Sequence, residues 1–138
     1  MIKIKFAIVT PLKSFDTNLV DTAKSIADSS LSSNTKMIDW VIKASFAIDN
    51  RDKNTIKEIC KNKINVIFYE KNDLTMYEGL IQGIDCIDKE YLIWLNSGDL
   101  LFKEALSNIY HEVILKKSSA DIYIFNKSVK FKDGKIYS

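Results

Sequence analysis

The chain has 138 residues, 46% of them hydrophobic and 28% charged, with a formal net charge of +2. That is enough apolar material for one domain, residues 1–138, with a real core. Its basic residues are scattered lysines and Arg51 is the only arginine, which excludes the basic face of a nucleic-acid binder and leaves almost no bidentate fork for phosphate or guanine.

Met1 to Thr10 alternates charged with apolar residues, the pattern of a strand and not of a secretion signal. The predicted first strand runs from Ile2 to Val9 and closes at Thr10-Pro11, because proline donates no N–H. Asp16 or Thr17 then caps a helix reaching about Ser29, with Leu19, Val20, Ala23, Ile26 and Ala27 on one face. After the polar Ser29-Ser-Leu-Ser-Ser-Asn34, a second strand is predicted from Met37 to Phe46, centred on Trp40-Val41-Ile42. Asp49-Asn-Arg-Asp52 reads as turn and cap, followed by a short helix from Asn54 to Lys61. Ile64 to Tyr69 is the third strand, and Leu74 to Ile87 has helical spacing in Met76, Leu80, Ile81, Ile84 and Ile87.

Tyr91 to Asn96 is a short apolar run rich in aromatic and branched residues, stopped by turn residues, and reads as a buried fourth strand. A helix from Phe102 to Lys117 follows, then a fifth strand from Asp121 to Phe131. Lys132-Asp-Gly-Lys135 is the turn of a terminal β-hairpin leading to Ile136-Tyr137. Four alternations of strand and helix predict an α/β fold, a mainly parallel sheet with helices on both faces and right-handed crossovers.

No apolar segment approaches the length needed to span a bilayer, so a cytoplasmic protein is expected; peripheral association with the inner face of the membrane through a partner stays open. Cys60 and Cys86 stand outside any Cys/His cluster and are expected as small apolar residues on the buried sides of two helices, reduced as in the cytosol. His111 is the only histidine and has no second ligand nearby in sequence, so it is read as structural.

Two clusters carry candidate chemistry. In Asn96-Ser97-Gly98-Asp99, one reading is a strand-to-helix connection in which Gly98 supplies an unusual backbone angle and Asp99 caps the next helix. The other is that Asp99, at the carboxyl end of a buried strand, holds a divalent cation that neutralises a diphosphate. In the second cluster, Glu70 to Ile84, one reading has Asn72 or Asp73 capping the third helix, Tyr77 packing and Glu78 favouring the positive helix end. The other makes this loop the floor of a nucleotide pocket.

Taken in order, Glu70…Asp73…Tyr77-Glu78-Gly79…Gly83-Ile84 and then Tyr91-Leu-Ile-Trp-Leu-Asn-Ser-Gly-Asp99 resemble the family 2 glycosyltransferases of GT-A fold. Phe6-Ala-Ile-Val-Thr-Pro11 resembles that family's first strand, whose end lies against the nucleotide, and Asp39-Trp-Val-Ile42 its second. Asp121-Ile-Tyr-Ile124 with the Gly134 hairpin resembles the segment after the metal motif. The resemblance implies a GT-A, Rossmann-like three-layer sandwich, the amino-terminal donor-binding part of such an enzyme, cut before its acceptor-binding part. It implies inverting, metal-assisted transfer of a sugar from a nucleotide-diphosphate sugar donor to a saccharide or lipid-linked acceptor, in bacterial surface polysaccharide or glycolipid synthesis. Asp99 would be the ligand of Mn or Mg, and Thr10, Pro11, Asp73, Tyr77, Asn96 and Ser97 would line the donor site.

The chain departs from the family at several points. Where the family carries Asp-Gly-x-Ser-x-Asp after its second strand, Ala44-Ser45 stand here, and no carboxylate after Asp99 falls in a recognisable base motif. Glu104 and Glu112 read as helix-surface residues, Asp121 and Asp133 as cap and turn residues. Two rival readings follow: a non-catalytic descendant that keeps the fold, and an interaction module whose hairpin edge pairs with another chain, a homo-oligomer included.

Overall fold

The structure is a computed structural model, and it describes residues 6–29, 38–61, 63–87, 91–109, 111, 129–130 and 136–137. Four parallel strands form the main sheet: β1 (Phe6–Leu12), β2 (Ile38–Ala44), β3 (Asn65–Glu70) and β4 (Tyr91–Trp94), in the order β3-β2-β1-β4. The helices between them are α1 (Thr17–Asp28), α2 (Asn50–Ile59) and α3 (Met76–Asp85), with a short α4 (Ala105–Ile109) after β4. The predicted α/β class is what the structure shows.

The two faces of the sheet follow from the alternation of side chains along each strand. Ile8 and Leu12 of β1 and Ile38, Trp40, Ile42 and Ala44 of β2 point to one face, where they meet Leu19, Ala23 and Ile26 of α1 and Ile56 of α2 in one cluster. Leu106 of α4 joins the same cluster. On the other face, α3 lies over β1 and β2, with Gly83 packed on Val9 and Lys43.

Sheet order explains this division. The chain moves outward from β1 to β2 to β3 with α1 and α2 on one face, then returns across the sheet to β4; right-handed crossovers put the returning helix on the opposite face. The direction of winding therefore reverses between β1 and β4. Open α/β sheets bind ligands at the carboxyl ends of the strands where such a reversal occurs.

Several boundaries differ from the sequence reading. The largest difference is at Pro11, which does not close β1: the strand continues through Leu12, with Pro11 opposite Lys43. Alternate residues of β1 address opposite neighbours, since the Leu12 carbonyl accepts from Ser45 N–H at 3.1 Å and the Val9 carbonyl from Leu95 N–H at 3.0 Å. The N–H that Pro11 lacks would face the β4 side, where pairing has already ended at Val9, so nothing is lost.

α2 starts at Asn50, four residues before the predicted start, and is capped by Asp49, whose carboxylate accepts from Arg51 N–H at 2.8 Å. Cys60 is buried as expected, and burial pushes its thiol up to about 12. Cys86 is exposed, a correction to the expectation for it: it is the C-cap of α3, past the last helical residue Asp85. Of the terminal hairpin, Val129–Lys130 (β5) and Ile136–Tyr137 (β6) pair antiparallel; its turn, the Asp121–Ile124 segment and the carboxyl-terminal part of the predicted 102–117 helix lie outside the described residues. Among the described residues no helix is long and apolar enough to cross a membrane.

Candidate functional site

The loop after β4 sits at the switch point. Gly98 has φ +94°, the left-handed backbone region that glycine enters without steric cost, so the predicted unusual angle is present. The turn closes through Asp99 N–H, which donates to the Asn96 carbonyl at 3.0 Å. Asp99 does not cap a helix: its Oδ2 accepts from Asn96 N–H at 3.2 Å, α4 begins six residues later, and the side chain is exposed. Asn96 Oδ1 accepts from Trp94 Nε1 at 2.8 Å. Ser97 Oγ is buried and has no hydrogen-bond partner among the described residues.

The loop's other side rests on α1. Gly98 N–H donates to Thr22 Oγ1 at 2.9 Å, and Thr22 Oγ1 in turn lies 2.9 Å from the Asp99 carbonyl and 3.1 Å from that of Asn18, its two acceptors. Leu101 N–H donates to Ser25 Oγ at 3.1 Å.

The loop from β3 to α3 is held differently. Asp73 does not cap α3. Thr75 does, accepting from Glu78 N–H at 3.1 Å, while Glu78 Oε2 accepts from Leu74 N–H at 2.8 Å. Thr75 and Glu78 thus close the start of α3 in the manner of a capping box, with Glu78 reaching the N–H one residue before the cap, and Asp73 is left for another role. The Asp73 side chain is 3% exposed and pairs with both Lys13 and Lys43. Burial pushes its carboxyl up, but hydrogen bonds from Lys13 and Lys43 and their charges outweigh this and hold it below its ordinary value.

Lys43 was not singled out in the sequence, yet it is the most constrained charge among the described residues. Its side chain is 0% exposed within β2, and its ammonium donates to Asp73 Oδ2 at 3.0 Å, the Ala44 carbonyl at 3.1 Å and the Lys71 carbonyl. Three donors meet three acceptors, which is what a buried ammonium requires. A signal was present: a lysine within the apolar run Trp40 to Ala44 of β2, followed in α3 by two glycines four residues apart. A Cβ at Gly79 would sit 2.8 Å from Asp73 Oδ2, and one at Gly83 would sit 2.8 Å from Val9 Cγ1 and 3.4 Å from Lys43 Cβ. The glycines let α3 lie directly on the ion pair.

The residues expected to line a donor site are therefore spread over two layers. Pro11, Asn96, Ser97 and Asp99 stand at the carboxyl ends of β1 and β4. Tyr77 is exposed at the start of α3, with its ring edge-on to Trp94 at 6.0 Å between centroids. Thr10 is 0% exposed and points to the opposite face, its hydroxyl accepting from Trp40 Nε1 at 2.8 Å. Asp73 spends its charge on the two lysines.

No cluster of three or more His, Cys, Asp or Glu exists among the described residues. Asp99 is the exposed carboxylate at the switch point, with the unpartnered Ser97 hydroxyl two residues before it. An oxygen-seeking Mg or Mn ion fits such a donor set when phosphate oxygens and water complete its shell.

Comparison with solved structures gives the architecture a name. The structure of S. aureus TarS 1-349 superposes with a TM-score of 0.69 at 15% identity, over 97% of this chain and 47% of that one. A second S. aureus TarS structure matches with a TM-score of 0.60 at 19% identity, over 76% of this chain and 18% of that one. TarS is a glycosyltransferase with a GT-A-like fold. This chain shares its α/β fold with the TarS structures. It spans about half the length of the first TarS chain. No family model matches the sequence, and no curated protein does. In this fold, β1 to β4 and their loops form the part that carries the switch point.

Proposed function

We propose that this domain binds a nucleoside diphosphate sugar at the carboxyl ends of β1 and β4 and serves transfer of the sugar to a saccharide or lipid-linked acceptor, in synthesis of a cell-surface polysaccharide or glycolipid. The observation that carries the reading is Asp99: an exposed carboxylate on a loop of fixed geometry at the topological switch point of a glycosyltransferase-like fold.

Asp99 is the residue that would hold a Mg or Mn ion, with Ser97 and Asn96 beside it. When bound, such an ion supplies positive charge against the departing diphosphate. Transfer with inversion forms a bond from the acceptor hydroxyl oxygen to the anomeric carbon as the bond to the diphosphate oxygen breaks on the opposite side. The hydroxyl proton passes to a carboxylate base, and the nucleoside diphosphate leaves. This chain's own contribution is to bind and orient the donor.

A second reading, a domain that binds nucleotide without catalysing transfer, is favoured by Ala44 at the end of β2 and by Asp73, whose charge is already neutralised by Lys13 and Lys43. One experiment serves both. Uridine or guanosine diphosphate with manganese should raise the melting temperature, by mass action on the folded state, and Asp99→Ala should remove the metal-dependent part. No shift with either nucleotide at millimolar concentration refutes both readings. Donor hydrolysis or transfer then separates enzyme from binding domain.

A further inference from the structure

Two hydroxyls of α1 hold the Asp99 loop, and nothing in the loop's own sequence supplies what they do. We infer that Thr22 and Ser25 are positioning residues for the Asp99 carboxylate, a latch that sets the cation-binding geometry of the β4 loop; this rests on the reading of Asp99 given above.

The loop has three backbone groups facing inward: the N–H of Gly98, the carbonyl of Asp99 and the N–H of Leu101. Thr22 Oγ1 takes the first two, accepting at 2.9 Å and sharing its one proton between the Asp99 carbonyl at 2.9 Å and the Asn18 carbonyl at 3.1 Å. Ser25 Oγ takes the third at 3.1 Å and donates its own proton to the Thr22 carbonyl at 2.8 Å. The two residues are three apart on one helix, hence on the same face. Thr22 is 0% exposed and Ser25 is partly buried, so water does not readily replace either hydroxyl.

The consequence falls on the carboxylate. With its own carbonyl turned in to Thr22, Asp99 sends its side chain outward, where Oδ2 is steadied by Asn96 N–H at 3.2 Å. Gly98 at φ +94° makes the reversal, and without the latch that glycine has wide backbone freedom. An exposed carboxylate on an unrestrained loop would have to be ordered each time a cation bound. The latch makes that ordering part of folding, because α1 is already fixed in the core by Leu19, Ala23 and Ile26.

The test compares Thr22→Val, which keeps shape and loses the hydroxyl, with Thr22→Ser, which keeps the hydroxyl. Binding of uridine and guanosine diphosphate is measured by calorimetry with and without manganese, and amide hydrogen exchange is followed over the whole chain. Thr22→Val is expected to weaken manganese-dependent binding by about tenfold while metal-free nucleotide binding changes less than about twofold, and Thr22→Ser is expected to restore the wild-type value within about threefold. The Gly98 amide should exchange at least about tenfold faster in Thr22→Val, with the β1 and β2 amides unchanged, which separates the latch from a general loss of stability. Ser25→Ala gives the same pattern at Leu101 and carries the test in the event that Thr22→Val does not fold. Wild-type metal-dependent binding that Thr22→Val leaves intact overturns the latch alone. Absence of metal-dependent binding in the wild type overturns the functional reading of Asp99, and the latch's role with it.

Discussion

Replacing Asp73 by asparagine removes one charge from a buried pair while keeping the side chain's shape. In the native protein the Lys43 ammonium, with its side chain 0% exposed, has one carboxylate oxygen at 3.0 Å and two backbone carbonyls as partners. Asp73→Asn leaves that ammonium with dipoles only. Removing one member of a buried ion pair typically costs about 3–5 kcal/mol. Because two carbonyls and the new amide oxygen still accept from Lys43, we place the cost at about 2–4 kcal/mol. At about 2 cal/mol/K of unfolding entropy per residue, a chain of this size loses about 3.5 °C per kcal/mol, so the melting temperature should fall by about 7–14 °C.

Two companions check the cause. Lys13 is half-exposed, so Lys13→Ala should cost about 0.5 kcal/mol or less despite touching the same carboxylate. Lys43→Met with Asp73→Asn replaces the ion pair by an apolar stem beside a neutral amide and should recover most of the loss. Acid adds a further signature. Because Asp73 titrates below its ordinary 3.8 in the folded state, its contribution is complete above that value and is lost as pH falls through the folded pKa. The stability gap between wild type and Asp73→Asn, from urea melts, should be constant near neutrality and narrow well below pH about 4. A gap under about 0.5 kcal/mol at pH 7, or a double variant as unstable as the sum of its singles, would refute the reasoning.

Other consequences are simpler to measure. Gly83→Ala should destabilise by about 1–2 kcal/mol in chemical denaturation, because a methyl 2.8 Å from Val9 Cγ1 outweighs the roughly 1 kcal/mol that alanine brings to a helix interior; a stabilised variant would mean that α3 does not lie this close. Gly98→Ala places a side chain at φ +94° and should cost about 1–2 kcal/mol, although the space there is open enough that the nearest atom is Asn18 Cβ at 3.6 Å. Native protein should take up one equivalent of a thiol reagent at pH 8, at exposed Cys86, and the second only on unfolding, since burial pushes the Cys60 thiol up to about 12; two fast equivalents would contradict the packing of α2.

The alternation of apolar strands and amphipathic helices is a local property of the chain, and it determined the α/β class, the parallel sheet and nearly every element. Turn chemistry is equally local, so the glycine-dependent reversal at Gly98 and the cap at Asp16 were legible without any structure. Helix and strand limits were less so, because caps compete: Thr75 with Glu78 outbid Asp73 for the start of α3, and Asp49 started α2 early. Pro11 misled for a tertiary reason, since whether a missing N–H matters depends on whether a neighbouring strand is still present.

The ion pair and the latch belong wholly to the tertiary structure. Lys43 and Asp73 are 30 residues apart, and Thr22 and Asp99 are 77 apart, so no periodicity or spacing relates them. They meet because right-handed crossovers lay α3 over β2 and bring the β4 loop down beside α1. Sequence alone placed Asp99 at the end of a strand; the order of the strands decided that this end is the switch point, and α1 decided how the carboxylate is held there.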